Sequence, residues 1–190
     1  MAGCRAEAGL AKWSFPNAFV GNMCAKTLNN TRPETNSASG GTNYSAPDLT
    51  RQPPRSPRTR LGGFVHLPRM IDKARATVCG TNGEFTYGCP MDQRFFAFAG
   101  IKASEFMRQV KAGKGDGELL VWVMKHLRPQ RTEPEILAWS AWYEQRAPSA
   151  VEGRGFFNDV HKKNAPNRED IVTWFDWLEL DDFVSFGGKP

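Results

Sequence analysis

The stretch GTNGEFTYGCPMDQR, residues 80–94, separates two kinds of sequence in this 190-residue chain. It is dense in glycine and polar residues, whereas almost everything after it shows the apolar periodicity of helices. Asn82-Gly83 predicts a sharp turn, because both residues tolerate a positive φ. Pro90 is well suited to the first position of a helix that we expect to run to Ala99. The stretch therefore predicts an irregular connection between helices, and a short hairpin turning at Asn82-Gly83 is the alternative.

Helical spacing of apolar residues recurs on both sides of this stretch. It predicts helices over about 67–78, 104–112 and 116–127, and three more that start near Thr132, Ser149 and Asn167. The first two of these starts have the capping-box pattern, and the third is a looser version. The run 119–124 is apolar nearly all round, so we expect its helix, with Asp116 as N-cap, to be central and buried. The sequence thus predicts an all-α fold, a compact bundle of about six or seven helices; a hairpin within 80–89 would make it α+β.

The composition changes near residue 48. Residues 1–47 are rich in Asn, Ser, Thr, Gly and Ala without an apolar period, which predicts a disordered N-terminal tail before a single helical domain at 48–190. A targeting segment or a misassigned start codon are alternatives for this tail. No apolar run approaches the ~18 residues of a membrane span, and the first 30 residues lack a signal-peptide core, so we expect no membrane association.

Charge is divided unevenly along the predicted domain. Residues 48–131 carry 15 Lys and Arg against 7 Asp and Glu, whereas residues 132–190 carry 6 against 11. The arm at 51–60 combines prolines with Arg55, Arg58 and Arg60, which we interpret as candidate partner-binding residues. An arm laid over the acidic half and a plain linker are the alternatives. Nucleic-acid binding is unlikely, because no aromatic residue is interleaved with the arginines for base stacking.

The cysteines bound the chemistry. Cys4, Cys24, Cys79 and Cys89 show no metal-ligand spacing, so the sequence predicts neither a metal site nor a cofactor. They do not form a secreted disulfide framework either, which favours a reducing cytoplasm. The acidic residues between 176 and 182 are typical of a solvated face, and the glycine-rich segment 114–118 lacks the spacing of a phosphate-binding loop.

Cys89 is the most reactive side chain that the pattern singles out. At the N-cap of the helix beginning at Pro90, a thiol meets the positive end of the helix dipole, which favours the thiolate. An enzyme would use Cys89 as nucleophile, His66 or His161 as base, and Arg94 to hold an anion. The predicted ligand-binding residues of the stretch are Asn82, Glu84, Tyr87, Asp92 and Arg94. A non-enzymatic module that binds an unknown protein or small molecule is the favoured interpretation, and a purely structural turn and cap is the alternative for the stretch itself.

Several motifs resemble a small bacterial family known only as a domain of unknown function, DUF5069. The resemblance covers residues 48–190 and is carried by these segments of the chain: Leu67-Pro68-Arg69, Gly80-Thr-Asn-Gly-Glu84, Cys89-Pro-Met-Asp-Gln-Arg-Phe95, Gly113-Lys-Gly-Asp-Gly-Glu118, Trp139-Ser-Ala-Trp142, Thr173-Trp-Phe-Asp176 and Asp181-Asp-Phe-Val-Ser-Phe-Gly-Gly188. Lys102 stands where the family pattern leads us to expect an acidic N-cap. The resemblance implies a compact bacterial domain and carries over no catalytic residue.

Overall fold

The computed structural model describes residues 45–190, and within them it has seven helices and one two-stranded sheet. The elements are β1 (Arg60–Leu61), β2 (Phe64–Val65), α1 (Leu67–Cys79), α2 (Pro90–Ala99), α3 (Ala103–Lys111), α4 (Asp116–His126), α5 (Glu133–Glu144), α6 (Val151–Asn164) and α7 (Trp174–Ser185). The predicted all-α fold is confirmed. The predicted disordered tail falls almost entirely outside the described residues. Between residues 45 and 190, every helix is too short or too polar to cross a membrane.

Local capping signals place two of the helices well. α2 begins at Pro90 with Cys89 as N-cap, and Gly100 ends it with φ 66°. α5 begins after Thr132, whose backbone N–H donates to Glu135 Oε2 at 2.7 Å. The capping box predicted at Ser149 does not form, because Ala150 is the N-cap of α6 and makes no side-chain cap.

The last helix starts later than the sequence pattern predicts. The start expected near Asn167 is wrong: α7 begins at Trp174, and Thr173 and Asp176 form the capping box. Thr173 N–H donates to Asp176 Oδ2 at 2.7 Å, and Asp176 N–H donates to Thr173 Oγ1 at 3.2 Å. Both segments have the right residue types for a cap, and the second is followed by the longer apolar run.

The expectation that α4 is central and buried is also wrong. Only Leu119 and Val123 of this helix are buried, whereas Val121 is 68% exposed. Asp116 is not the N-cap; Gly115 takes that position, and its N–H donates to Glu118 Oε2 at 2.9 Å. A helix that is apolar nearly all round therefore lies at the surface of this domain.

The one hairpin lies at Gly62-Gly63 rather than at Asn82-Gly83. β1 and β2 pair antiparallel, and the two glycines have φ 59° and 83°, values that few other residues adopt. A Cβ at Gly62 would lie 2.4 Å from Leu120 Cδ1, so the glycine is needed where α4 packs on the turn. Residues 80–89 form the irregular connection that was predicted.

The core consists of two main apolar clusters. The first is built mainly by α1 to α4 and the second mainly by α5 to α7. Consecutive residues of β2 separate them, since Phe64 belongs to the first cluster and Val65 to the second. Cys89 and Met91 at the start of α2 pack in the second cluster, while Phe95 and Phe96 further along pack in the first. The N-terminus of α2 therefore lies at the junction of the two clusters.

Candidate functional site

Four polar side chains meet at this junction; we call His66, Lys73, Cys89 and Asp92 the junction cluster. Asp92 Oδ1 lies 2.7 Å from Lys73 Nζ and 2.9 Å from His66 Nε2, and all three side chains are fully buried. Lys73 Nζ also lies 3.3 Å from Cys89 Sγ. The second oxygen of Asp92 accepts from the N–H of Gly88 at 2.8 Å. A carboxylate that binds a cation and three donors is well satisfied for a buried charge.

Two helix termini build the cluster. His66 and Lys73 are seven residues apart on α1, so their side chains project from the same face. Cys89 and Asp92 lie at the N-cap and in the first turn of α2, where the helix dipole favours a negative charge. The left-handed glycine at Gly88, φ 77°, turns the chain into this position.

His66 has an unusual conformation. Among residues 45–190 it is the only non-glycine residue with a positive φ, at 66°, which is sterically costly. Its N–H donates to Pro57 O at 2.8 Å, and its ring stacks at 6.0 Å from the Phe175 ring. Within the described part of the chain, His66 Nδ1 is buried without a hydrogen-bond partner.

The electrostatics of the cluster fix its charge state. Burial lowers the pKa of His66 to about 4; Asp92 opposes this shift, whereas the Lys73 and Arg69 cations add to it. Burial alone would raise the pKa of Asp92, but Lys73 and His66 together hold it well below its usual range. At neutral pH the cluster therefore contains a charged Asp92 beside a neutral His66.

The loop residues predicted to bind a ligand mostly face inward. Asn82 Nδ2 donates to Phe85 O at 3.0 Å, and Tyr87 Oη donates to Ala103 O at 2.8 Å. Burial, and then Asp92, raise the pKa of Tyr87 far above its usual value. Glu84 is exposed and Arg94 is half-buried. Their ligand-binding role stays a prediction, although the polar groups of Asn82 and Tyr87 are already used within the fold.

The structure separates the two histidines proposed as bases. His66 shares Asp92 with Lys73, the residue that contacts Cys89. His161 Nε2 instead lies 2.7 Å from Arg168 O, in the connection between α6 and α7. The catalytic role of Cys89 with a histidine stays a prediction, and the side chain hydrogen-bonded to its sulfur is a lysine.

The arginines of the arm bind carboxylates of the same chain. Arg55 lies 2.7 Å from Asp72 and 2.6 Å from Asp116. Arg58 pairs with Asp176 and Glu179, and Arg60 Nη2 lies 2.9 Å from Glu144. The arm is thus laid over the domain, with Arg58 and Arg60 on the acidic C-terminal half. Its predicted binding of a partner stays untested.

Sequence reasoning missed the buried charges of α1. Lys73 was not singled out, and neither was the pair between Arg69 and Asp182, whose side-chain atoms approach to 2.6 Å. Both cations are fully buried, as the arm, the loop at 80–89 and α7 all contribute contacts to this side of α1. The available signal was that charged residues at 69, 72 and 73 directly adjoin the apolar stripe.

A second region combines exposed apolar and basic side chains. We call the surface lined by Lys114, Gly117, Glu118, Val121, Trp122, Lys125 and His126 the α4 face. Its lining is mainly apolar, and the rings of Trp122 and His126 stack with centroids 4.4 Å apart. The spacing 118, 121, 122 and 125 is that of one side of a helix.

The fold and these two regions define a small helical domain with a buried polar junction and an exposed apolar helix. In residues 45–190 no group of three or more His, Cys, Asp or Glu is arranged to hold a metal ion. The family model described as "Domain of unknown function (DUF5069)" matches residues 51–184, and the chain belongs to this family. A comparison with curated proteins finds no match.

Proposed function

We propose that this domain is a non-enzymatic interaction module that binds an acidic, amphipathic segment of another protein on the α4 face. The observation that carries the proposal is the exposure of Val121, at 68%, in the middle of a mainly apolar surface. An exposed apolar surface with a polar rim is typical of a docking site.

The apolar content of α4 exceeds what the fold buries. Its run of six residues, Leu119 to Met124, supplies only Leu119 and Val123 to the first apolar cluster. Val121 and Met124 remain 68% and 38% exposed. Folding of the domain does not require these exposed side chains, so a partner that covers them gives their exposure a purpose.

Charge selects the kind of partner. Residues 102–131 contain seven Lys and Arg but three Asp and Glu. One of these acids, Asp116, is already paired with Arg55 and Arg75. Lys114 and Lys125 line the α4 face itself. A segment with carboxylates beside apolar residues at helical spacing fits this surface, since complementary charge steers association and apolar contacts hold the complex.

The proposal also assigns the arm and the location of the protein. Arg55, Arg58 and Arg60 hold the arm on the domain and do not contact the partner. A bacterial cytoplasm is the proposed location, because the cysteine spacing is not that of a secreted disulfide framework and Cys89 is a buried free thiol.

The test uses a fluorescent synthetic peptide with leucines at helical spacing and glutamates on its other face. Its binding to the full chain is measured by anisotropy and compared with a peptide in which lysine replaces every glutamate. We expect the acidic peptide to bind and the basic one not to, with affinity falling as salt is raised. Val121→Asp is expected to weaken binding at least about tenfold, since it places a carboxylate in the apolar contact.

Val151→Asp is the matched control, because Val151 is 83% exposed but lies on α6, outside the α4 face. Equal affinities for the two peptides, or equal losses in the two variants, would contradict the proposal. Self-association that only Val121→Asp abolishes, measured by light scattering, would assign the face to a second copy of this chain and would also contradict it.

A further inference from the structure

We propose that Lys73 and Cys89 form an oxidation-driven covalent link, a sulfur–nitrogen bond that joins α1 to the start of α2. This modification site is independent of the α4 face. The geometry that carries it is the 3.3 Å contact between Lys73 Nζ and Cys89 Sγ inside the core.

The contact is held from several sides. Lys73 Nζ lies 2.7 Å from Asp92 Oδ1 and 3.3 Å from the carbonyl oxygen of Thr86. Asp92 is anchored in turn by His66 Nε2 and by the N–H of Gly88. Both backbones are helical or capping, so the amine is kept beside the sulfur without a change of fold.

The surroundings favour reaction at sulfur. An ammonium within hydrogen-bond distance and a helix N-terminus both stabilise a thiolate, the form that peroxides oxidise. Asp92 opposes this effect, but its charge is already shared between Lys73 and His66. Cys89 is 6% exposed, so a small oxidant such as hydrogen peroxide is the suitable reagent.

The chemistry balances with one hydroperoxide. The Cys89 thiolate attacks a peroxide oxygen, so a sulfur–oxygen bond forms, the oxygen–oxygen bond breaks, and the departing oxygen takes a proton to give an alcohol or water. Lys73, after losing a proton, attacks the sulfur of this sulfenic acid; a nitrogen–sulfur bond forms and hydroxide leaves, which takes up the proton as water. Sulfur is oxidised and the peroxide is reduced, and the protein becomes lighter by two hydrogens. Sulfenic acids are known to condense with nitrogen in this way.

The link would also change the junction cluster. It removes the cation of Lys73, so Asp92 keeps only His66 and Gly88 as its neighbours in the cluster. A buried carboxylate without its ammonium is costly, so oxidation would alter the packing of α1 against α2.

The experiment is peptide mapping of the full chain after hydrogen peroxide treatment, without reductant during digestion. We expect trypsin to stop cutting after Lys73, and peptide 70–75 to appear joined to a peptide that contains Cys89, at the sum of the two masses less two hydrogens. Dithiothreitol should restore both peptides. Oxidation in concentrated urea is the control, and there the link should be lost, because only the folded chain holds the amine beside the sulfur.

Three results would overturn the proposal. The first is Cys89 recovered as sulfinic or sulfonic acid, or in a disulfide, with normal cleavage after Lys73. The second is a link that forms equally well in urea. The third is a joined peptide that retains one extra oxygen, which would mean a nitrogen–oxygen–sulfur bridge. The wild-type chain decides between these outcomes, so Lys73→Met, which leaves Asp92 without its ammonium, serves only to confirm the amine.

Discussion

The junction cluster and the α4 face distribute polarity in opposite ways. At the junction, Lys73 and Asp92 are charged and fully buried. On the α4 face, Val121 is apolar and largely exposed, although its neighbours in sequence would fit a core. Sequence polarity therefore predicts neither region, because burial here depends on which other segments cover each helix.

This difference separates two roles within one domain. Charges in the junction cluster are paired, so removing one partner should damage the fold. Side chains of the α4 face support little of the core, so changing them should leave the fold intact and affect association. The predictions below measure this contrast, beginning with the largest expected effect.

Asp92→Ala should give the largest loss of stability. It leaves the buried ammonium of Lys73 without its carboxylate, and breaking a buried pair in this way typically costs about 3–5 kcal/mol. Urea denaturation followed by circular dichroism measures the free energy of unfolding. Asp170→Ala is the control, since Asp170 pairs with Arg168 in an exposed position. Equal stability of the two variants would show that the junction cluster does not hold the fold.

Acid should destabilise the domain through His66. The folded-state pKa of His66 is about 4, below the unfolded value of 6.5, so in this window the unfolded chain binds a proton that the folded chain does not. Stability should therefore fall by on the order of 3 kcal/mol as the pH drops from 6.5 to 4. His66→Asn keeps a residue that tolerates the positive φ but does not titrate here. The variant should lose this part of the pH dependence, and identical pH profiles would contradict the assignment.

The arm arginines should differ from one another. Arg55→Ala should cost about 2 kcal/mol, because its hydrogen bonds reach the nearly buried carboxylate of Asp72 as well as Asp116. Arg60→Ala should cost below about 0.5 kcal/mol, since its pair with Glu144 is exposed. Thermal or urea unfolding measures both. A negligible effect of Arg55→Ala would return the arm to its predicted role as a free partner-binding segment.

Val121→Asp should change stability least, by at most about 0.5 kcal/mol, because the side chain is exposed. Val123→Asp is the contrast two residues along α4; it buries a carboxylate in the first apolar cluster and should prevent stable folding. Comparing the two by circular dichroism tests whether only one side of α4 is needed by the core. Similar damage from both would contradict the exposed face.

Much of the fold was predictable because its signals are local. Pro90 and Gly100 bound α2, and the Thr132–Glu135 pair starts α5, through contacts within a few residues. The start of α7 was misplaced because Asn167 and Thr173 both begin plausible caps, and packing decides between them. The hairpin at Gly62-Gly63 went unpredicted because its strands contain only two residues each.

The candidate site was less predictable, since it depends on distant segments. Cys89 and Asp92 lie in the stretch that was singled out, and His66 was considered as a base. Lys73 was missed because its partners are 13 to 19 residues away along the chain. The exposure of Val121 was missed for the converse reason: hydrophobicity of one helix does not reveal how many neighbours cover it.

The most direct test of the division of roles is an NMR titration of the isotope-labelled full chain with the acidic amphipathic peptide. The account predicts shifts of the Val121 amide and the Trp122 indole, while Gly80–Arg94 remains unchanged. Shifts concentrated in Gly80–Arg94, with the α4 face unaffected, would contradict it and place binding in the loop.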